Sequence, residues 1–367
     1  MPNTSRLHIE RAGAGGSDVV FLHGFMGTAS DWRGLRDAFA AEHHCWFVDL
    51  PGHGESVGRL ADETIDVETV ADLVVDDLRA AGLQSAHLVG YSMGGRVGLA
   101  LAVRHPEFVD RLVLESTSPG ISEPAQRRER ASQDDERARR IREEGLEAFL
   151  DDWYDLPLFE TFRTHPRFEQ ALARRLAGDA DALARVIRQM SPGRQPDYWP
   201  RLPELDMPVL LVTGAADPKY PDVVRRTAEP LPDARTAIAD RAGHNVHFER
   251  PDWYAQLVLD FLNDDFGTPW RRGLQQLRDG QFWEAHESWE TVWQRLPASR
   301  ARERTQALIQ FAAACYKVRQ VDQGRPADDM QRGMEGLIER ADAHLAAADN
   351  LGPPDVSWPV DSLDDAF

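Results

Sequence analysis

The chain has 367 residues, 42% of them hydrophobic, and a formal net charge of −19. That length suffices for two domains and at least one sizeable core. The charge argues against a nucleic-acid partner, because phosphate binding rests on Lys and Arg. Only two cysteines occur, Cys45 and Cys315, which points away from a disulfide framework and towards a reducing cytoplasm. No stretch reaches the ~18–20 apolar residues of a membrane-spanning helix. The opening segment MPNTSRLHIERAG lacks the apolar run of a secretory signal. Of 42 basic residues only Lys219 and Lys317 are lysines. High acidity with so little lysine suits a GC-rich genome or a salt-loving host, where excess charge keeps a protein soluble.

In chain order, short β-rich runs fall at Asp18–His23, Cys45–Asp49, Ala86–Tyr91, Arg111–Glu115, Pro208–Thr213 and Ala234–Ala239. Most are nearly continuous apolar runs, as expected of strands covered on both faces. Helical patterns such as Val67–Ala81 and Met93–Arg104 lie between them. This alternation predicts an α/β fold with a mostly parallel sheet and helices on both faces. From Ser118 to about Leu205 the strand signal lapses into charged, helix-periodic sequence. An all-helical insertion there predicts a cap over the carboxyl edge of the sheet, where open α/β folds bind ligands. A second shift comes at Asn263–Pro269, beyond which only helical patterns follow, over Trp270–Arg278, Gln281–Arg295, Arg302–Val321 and Met330–Ala348. Gly280, Pro297 and the Gln323–Pro326 loop punctuate them. The expected division is therefore a capped α/β domain over residues 1–265 with its cap at about 118–205, an all-helical domain over 268–350, and a flexible Pro- and Asp-rich tail over 351–367.

The chemistry centres on Gly90-Tyr91-Ser92-Met93-Gly94, a G-x-S-x-G sequence between a strand and a helix. That is the context of a nucleophile elbow, whose glycines relieve a sterically tight turn that lifts the serine hydroxyl above the sheet. Asp217, in GAAD, and His244, in AGH, each follow a predicted strand. The order Ser–Asp–His is the one used by the α/β-hydrolase fold. Strand ends converge on one face, so His244 can take the Ser92 proton while Asp217 fixes its tautomer. His23-Gly24-Phe25-Met26-Gly27 follows the Asp18–His23 strand, which assigns an oxyanion hole to the backbone N–H groups of Phe25 and Met93. The turn Asp49–Ser56 reads as architectural, and His43, His44, His53 and His87 as surface or structural residues.

A triad fixes an activated serine but not a reaction. The stretches LHGFMGTASDW (22–32), VDLPGHGES (48–56), LVGYSMGGRVGLALA (88–102), STSPGI (116–121), WYDLPLF (153–159), GAADPKY (214–220) and AGHNVHFERPD (242–252) carry a family resemblance. Through them the chain resembles the menaquinone-pathway 2-succinyl-6-hydroxy-2,4-cyclohexadiene-1-carboxylate (SHCHC) synthases. The resemblance implies elimination of pyruvate from a polyanionic enolpyruvyl ether, with Ser92 as the base and no cofactor or metal. It also implies a pocket lined by Tyr91, Arg96, Trp153, Lys219 and one cap arginine, assigned to Arg128 among Arg127, Arg128 and Arg130. Independently, a polyanion meeting so acidic a chain needs local cations. Arg96 lies one helical turn beyond Ser92, and Lys219 is two residues beyond Asp217. The rival enzyme reading is a carboxylesterase or carbon–carbon bond hydrolase working through an acyl-enzyme. A non-enzymatic receptor is the remaining reading, and the intact triad counts against it.

The later segment FWEAHESWETVW (282–293), with ALIQFAAACYK (307–317), resembles a small uncharacterised all-helical family. On a helix His286, Trp289, Glu290 and Trp293 share one face, with Glu287 near its edge. A metal site from His286 and Glu290 is one reading. A tryptophan-rich core with one His–Glu pair is the preferred one, because two ligands do not make a metal site. Assembly, or contact with a pathway partner, stays open as the role of this part.

Overall fold

Seven strands, β1 (His8–Ala12), β2 (Asp18–Leu22), β3 (His44–Asp49), β4 (Ala86–Tyr91), β5 (Val109–Glu115), β6 (Val209–Gly214) and β7 (Ala234–Ala239), join into one sheet of order β1-β3-β2-β4-β5-β6-β7. β1 runs antiparallel to β3, and every other neighbouring pair is parallel. The α/β-hydrolase fold expected from the motifs is the fold observed. The computed structural model describes residues 6–58, 64–263, 273, 276–277, 280–294, 300–322 and 327–350. The chain separates into two units, Met1–Leu262 and Asn263–Phe367. Among the described residues no helix is long and apolar enough to cross a membrane.

β1 is the strand that sequence reading misses. Its sequence HIERA carries two charges and no fully buried residue. It is an edge strand with one partner, and Glu10 on it is paired by Arg36 at 2.6 Å. Charged edge strands lack the apolar run that marks a buried one. The inner strands show why their signal is strong. Val20, Leu22, Val48, Leu88, Leu112, Leu114, Val209 and Leu211 join one buried cluster with α2 (Val67–Ala80) and α3 (Met93–Arg104). Residues between them point the other way. Phe21 stacks on Phe47 at 4.8 Å and meets Trp32 and Phe39, the latter on α1 (Arg33–Ala40).

Between β5 and β6 lies an all-helical insertion: α4 (Pro124–Tyr154), α5 (Glu160–Arg163), α6 (Phe168–Leu176), α7 (Ala180–Gln189) and a 3-10 segment at Trp199–Glu204. α4 is broken at Gly145, whose φ of 86° and ψ of 171° are not helical. Glycine tolerates positive φ better than any residue with a Cβ. Phe149, Leu150, Tyr154, Phe159, Phe162 and Ile187 form the insertion's own core, and Met26 and Phe248 from the body beneath complete it. A buried ion pair adds a polar tie, with Arg175 of α6 donating to both Asp31 oxygens at 2.8 and 2.6 Å. After β6 come α8 (Tyr220–Ala228), α9 (Val246–Glu249) and α10 (Pro251–Leu262).

The second unit contains α11 (Phe282–Trp293), α12 (Arg300–Asp322) and α13 (Ala327–Asn350). Ala285, Trp289 and Val292 of α11 bury against Leu308, Ile309 and Ala312 of α12. Of the tryptophan-rich core expected, Trp289 is buried here and Trp293 packs against the cluster partly buried. Trp283 instead stands 47% exposed, stacked on the His286 ring at 5.0 Å. His286, Glu287 and Glu290 place one ligand atom each within 4.8 Å of one another. Glu287 is thus a third potential ligand, which helical spacing alone had put at the edge of the face. The expected helix over Trp270–Arg278, the break at Pro297, the Gln323–Pro326 loop and the tail from Gly352 lie wholly or largely outside the described residues.

Candidate active site

Ser92 sits between β4 and α3 with φ 50° and ψ −106°, a strained backbone for a non-glycine residue. The turn closes so tightly that a Cβ on Gly94 would lie 2.2 Å from the Leu22 carbonyl oxygen, and one on Gly90 2.6 Å from Gly95 Cα. The glycines of the motif are therefore required by close backbone approach. The Ser92 N–H donates to the Glu115 carbonyl at 2.8 Å, fixing the turn on β5.

The structure brings Ser92, His244 and Asp217 together. His244 Nε2 lies 3.1 Å from Ser92 Oγ, and His244 Nδ1 lies 2.8 Å from Asp217 Oδ2. Asp217 Oδ1 accepts the N–H groups of Lys219 and Tyr220 at 2.8 and 2.9 Å. Burial alone would push the Asp217 carboxyl up. The His244 contact and these two amides outweigh burial and hold it below the usual carboxylate range. An ionised Asp217 requires His244 Nδ1 to carry the proton, leaving Nε2 as the acceptor facing Ser92. Glu249, buried behind the loop, accepts from the N–H groups of Gly243 and Asn245 on either side of His244. Burial raises its carboxyl above the ordinary value.

The loop after β2 is held by two neutral histidines. His53 Nε2 accepts the Met26 N–H at 3.1 Å, while its Nδ1 donates to the Pro51 carbonyl. His23 Nε2 accepts the Leu50 N–H, and its Nδ1 donates to the Gly24 carbonyl. Burial pulls His53 down to about 3 and His23 to about 4, so both stay uncharged at neutral pH. Asp49 completes the brace by accepting the N–H groups of Ala29 and Glu55. The Asp49–Ser56 turn thus supports the loop that carries Phe25. His43 and His87 are buried and His44 is exposed, none of them at the site.

A cleft opens above Ser92 between the sheet body and the helical insertion. Phe25, Ser92, Met93, Arg96, Trp153 and Lys219 line it, as do Arg130, Gln195 and Tyr220. Arg96 is partly buried, and among the described residues its guanidinium donates to the Met190 carbonyl at 2.8 Å and Gln195 Oε1 at 3.1 Å. Burial, with Arg130 nearby, draws it down to about 10, so it remains charged at neutral pH. It makes no ion pair with a described carboxylate. Lys219 is exposed at the rim, its Nζ 5.1 Å from the Tyr220 ring centre.

Two expectations change. Tyr91 does not line the cleft: it is buried beneath it, donates to Asn245 Oδ1, and packs on His244 and His247. It stands one residue before the elbow, on the strand rather than above it. Arg128 is exposed on α4, and Arg130 is the arginine that faces the cleft, held by Asp134 at 2.8 Å. Helix phase is set by Asp134, which is fully buried and also takes Arg137 and Ser191. Gln195 and Tyr220 were missed. Tyr220 directly follows Lys219 and lies 4.9 Å from the His244 ring, so adjacency to GAAD was the available signal. Gln195 had none.

A serine on a strand–helix elbow after β4, a carboxylate after β6, a histidine after β7 and a helical insertion above them define an α/β-hydrolase. The family described as alpha/beta hydrolase fold matches residues 19–251. An SHCHC synthase of Pectobacterium atrosepticum is 35% identical over 246 residues, spanning 67% of this chain and 93% of its own. The structure of MenH from S. aureus superposes with a TM-score of 0.67 at 34% identity, over 70% of this chain and 98% of that one. The chain belongs to the SHCHC synthase family. Protein PHYLLO, chloroplastic, of Arabidopsis thaliana is 33% identical over 261 residues, and the chain spans 15% of its length. Residues 270–324 match a separate domain of unknown function, DUF309.

Proposed function

We propose that the protein is a cytoplasmic carbon–oxygen lyase of menaquinone biosynthesis that eliminates pyruvate from 2-succinyl-5-enolpyruvyl-6-hydroxy-3-cyclohexene-1-carboxylate to give SHCHC. Ser92, relayed to His244 and Asp217, removes a ring proton. The electron pair of the C2–H bond, beside the succinyl carbonyl, forms the C2–C3 double bond, the existing C3–C4 pair shifts to C4–C5, and the enolpyruvyl C–O bond at C5 breaks. The enolate leaves and is protonated to pyruvate, so no co-reactant is consumed. The N–H groups of Phe25 and Met93 hold the charge that develops on the substrate oxygen during abstraction. Met26 cannot share this role, since His53 takes its N–H. The observation that carries the reading is the sharing of one cleft by Ser92 and three cations, Arg96, Arg130 and Lys219. A chain of net charge −19 repels a polyanion unless its site supplies positive charge locally. A simple esterase has no such need. Pyruvate release from the enolpyruvyl substrate, followed in a coupled assay, tests the proposal. Efficient turnover of a neutral ester without pyruvate release would replace it with the esterase reading.

The cations differ in depth, and their variants should too. Arg96→Ala is expected to weaken the transition-state complex by about 1.5–3 kcal/mol, the range of a charge-assisted hydrogen bond. Lys219→Ala should cost less, and its effect should shrink with added salt because Lys219 is exposed. kcat/KM measured across ionic strength checks both. Equal losses on neutral and anionic substrates would assign the two residues to the fold instead.

A further inference from the structure

Buried cations are ordinarily paired with carboxylates, because an isolated charge is costly away from water. Arg96, partly buried, departs from this: its two acceptors among the described residues, the Met190 carbonyl and Gln195 Oε1, are neutral. The orientation of the Gln195 amide is fixed at both ends. Arg96 can only donate, and the Pro119 carbonyl, 3.1 Å from Gln195 Nε2, can only accept. Gln195 is itself buried and anchored, its N–H donating to the Ser191 carbonyl at 3.1 Å. Ser191 Oγ in turn donates at 2.7 Å to Asp134, the carboxylate that holds Arg130. One turn, Met190–Gln195, therefore positions two cleft arginines that come from different elements, α3 and α4.

We infer that Gln195 is a specificity-determining positioning residue, which fixes Arg96 in the cleft through a neutral acceptor and so leaves its charge for an anionic group of the substrate. This rests on the reading of the cleft as a polyanion site. A glutamate here would have nearly the same shape and would neutralise the cation. A methionine would remove both side-chain hydrogen bonds but add no charge. The two variants therefore separate charge from packing.

The experiment is calorimetric binding of acetate, succinate and citrate to the full chain, with thermal melting of each variant as the control for folding. Gln195→Glu should weaken citrate binding about tenfold or more, in line with loss of a charge-assisted contact. The loss should grow from acetate to succinate to citrate. Gln195→Met should lose about threefold. A merely structural role would make methionine at least as harmful as glutamate, with equal losses on all three anions, and that result overturns the inference. Should Gln195→Glu fail to fold, Gln195→Met decides: wild-type citrate affinity in a folded variant would also overturn it. Absence of citrate binding to the unmodified protein would do the same. Pyruvate release is measured separately, so the reaction and the role of Gln195 can fail independently.

Discussion

Replacing Ser92 with alanine is expected to lower kcat for pyruvate release by about 10²–10⁴, the range of a lost acid–base group. KM should move little, because the hydroxyl contributes to proton transfer rather than to anion binding. His244→Ala should cost about as much, and the double variant little more. Ser92 Oγ and His244 Nε2 lie 3.1 Å apart and act as one proton-transfer unit, so removing either removes the unit. The same losses would follow if Ser92 were a nucleophile, so a second readout is needed. During steady-state turnover, quenched wild-type enzyme should show its unmodified mass. A hydrolase with slow deacylation would show an acyl increment and a burst. An adduct on Ser92 that forms and decays at the turnover rate would refute proton abstraction by this residue.

How much of this was legible beforehand follows from where each signal resides. The triad is readable because its constraints leave fixed residue types in a short motif: Gly90 meets Gly95 within the turn, Gly94 meets the Leu22 carbonyl of the neighbouring strand, and Asp217 and His244 each follow a strand. The cap is readable as a loss of strand pattern. What fails is anything that depends on helix phase or on contacts distant in sequence. Arg127, Arg128 and Arg130 are alike in sequence. Only Ser191, 57 residues beyond Asp134, reveals that the Asp134 side of α4 faces inward. The pocket role of Tyr91 is what the family resemblance implies. A strand residue beside the elbow is directed into the body, here towards Asn245 and His247. Gln195 has no motif at all, and its importance comes from Arg96, 99 positions away. β1 was hidden by its charges, and the Gly145 break in α4 lies within sequence that is helix-periodic on both sides.

Breaking the Asp31–Arg175 pair should be the most damaging change to stability. Their side chains are 3% and 5% exposed, and the contact is bidentate. Arg175→Met would leave a buried carboxylate with only the weaker 3.5 Å contact from Arg174. The cost of stranding one member of such a pair is about 3–5 kcal/mol. The combined Asp31→Asn, Arg175→Met variant should lose less than the sum of the singles, since it strands no full charge. Urea unfolding of the four proteins closes the cycle, and a single variant within about 1 kcal/mol of wild type would contradict the buried-pair argument. The pH dependence has a fixed direction. Burial pushes the Asp31 carboxyl up, but the Arg175 charge and hydrogen bonds prevail and hold it below its ordinary value. A depressed folded-state pKa means the unfolded chain binds the proton more readily. The pair's contribution is therefore complete above the unfolded value of about 3.9. It declines as pH falls through the lower folded value. Over that acid range the urea midpoint of the wild type should fall more steeply than that of the double variant, which lacks the titrating carboxyl. Because Arg175 lies in the cap and Asp31 in the loop after β2, the same variants should also raise KM by loosening the cap, at urea concentrations well below global unfolding.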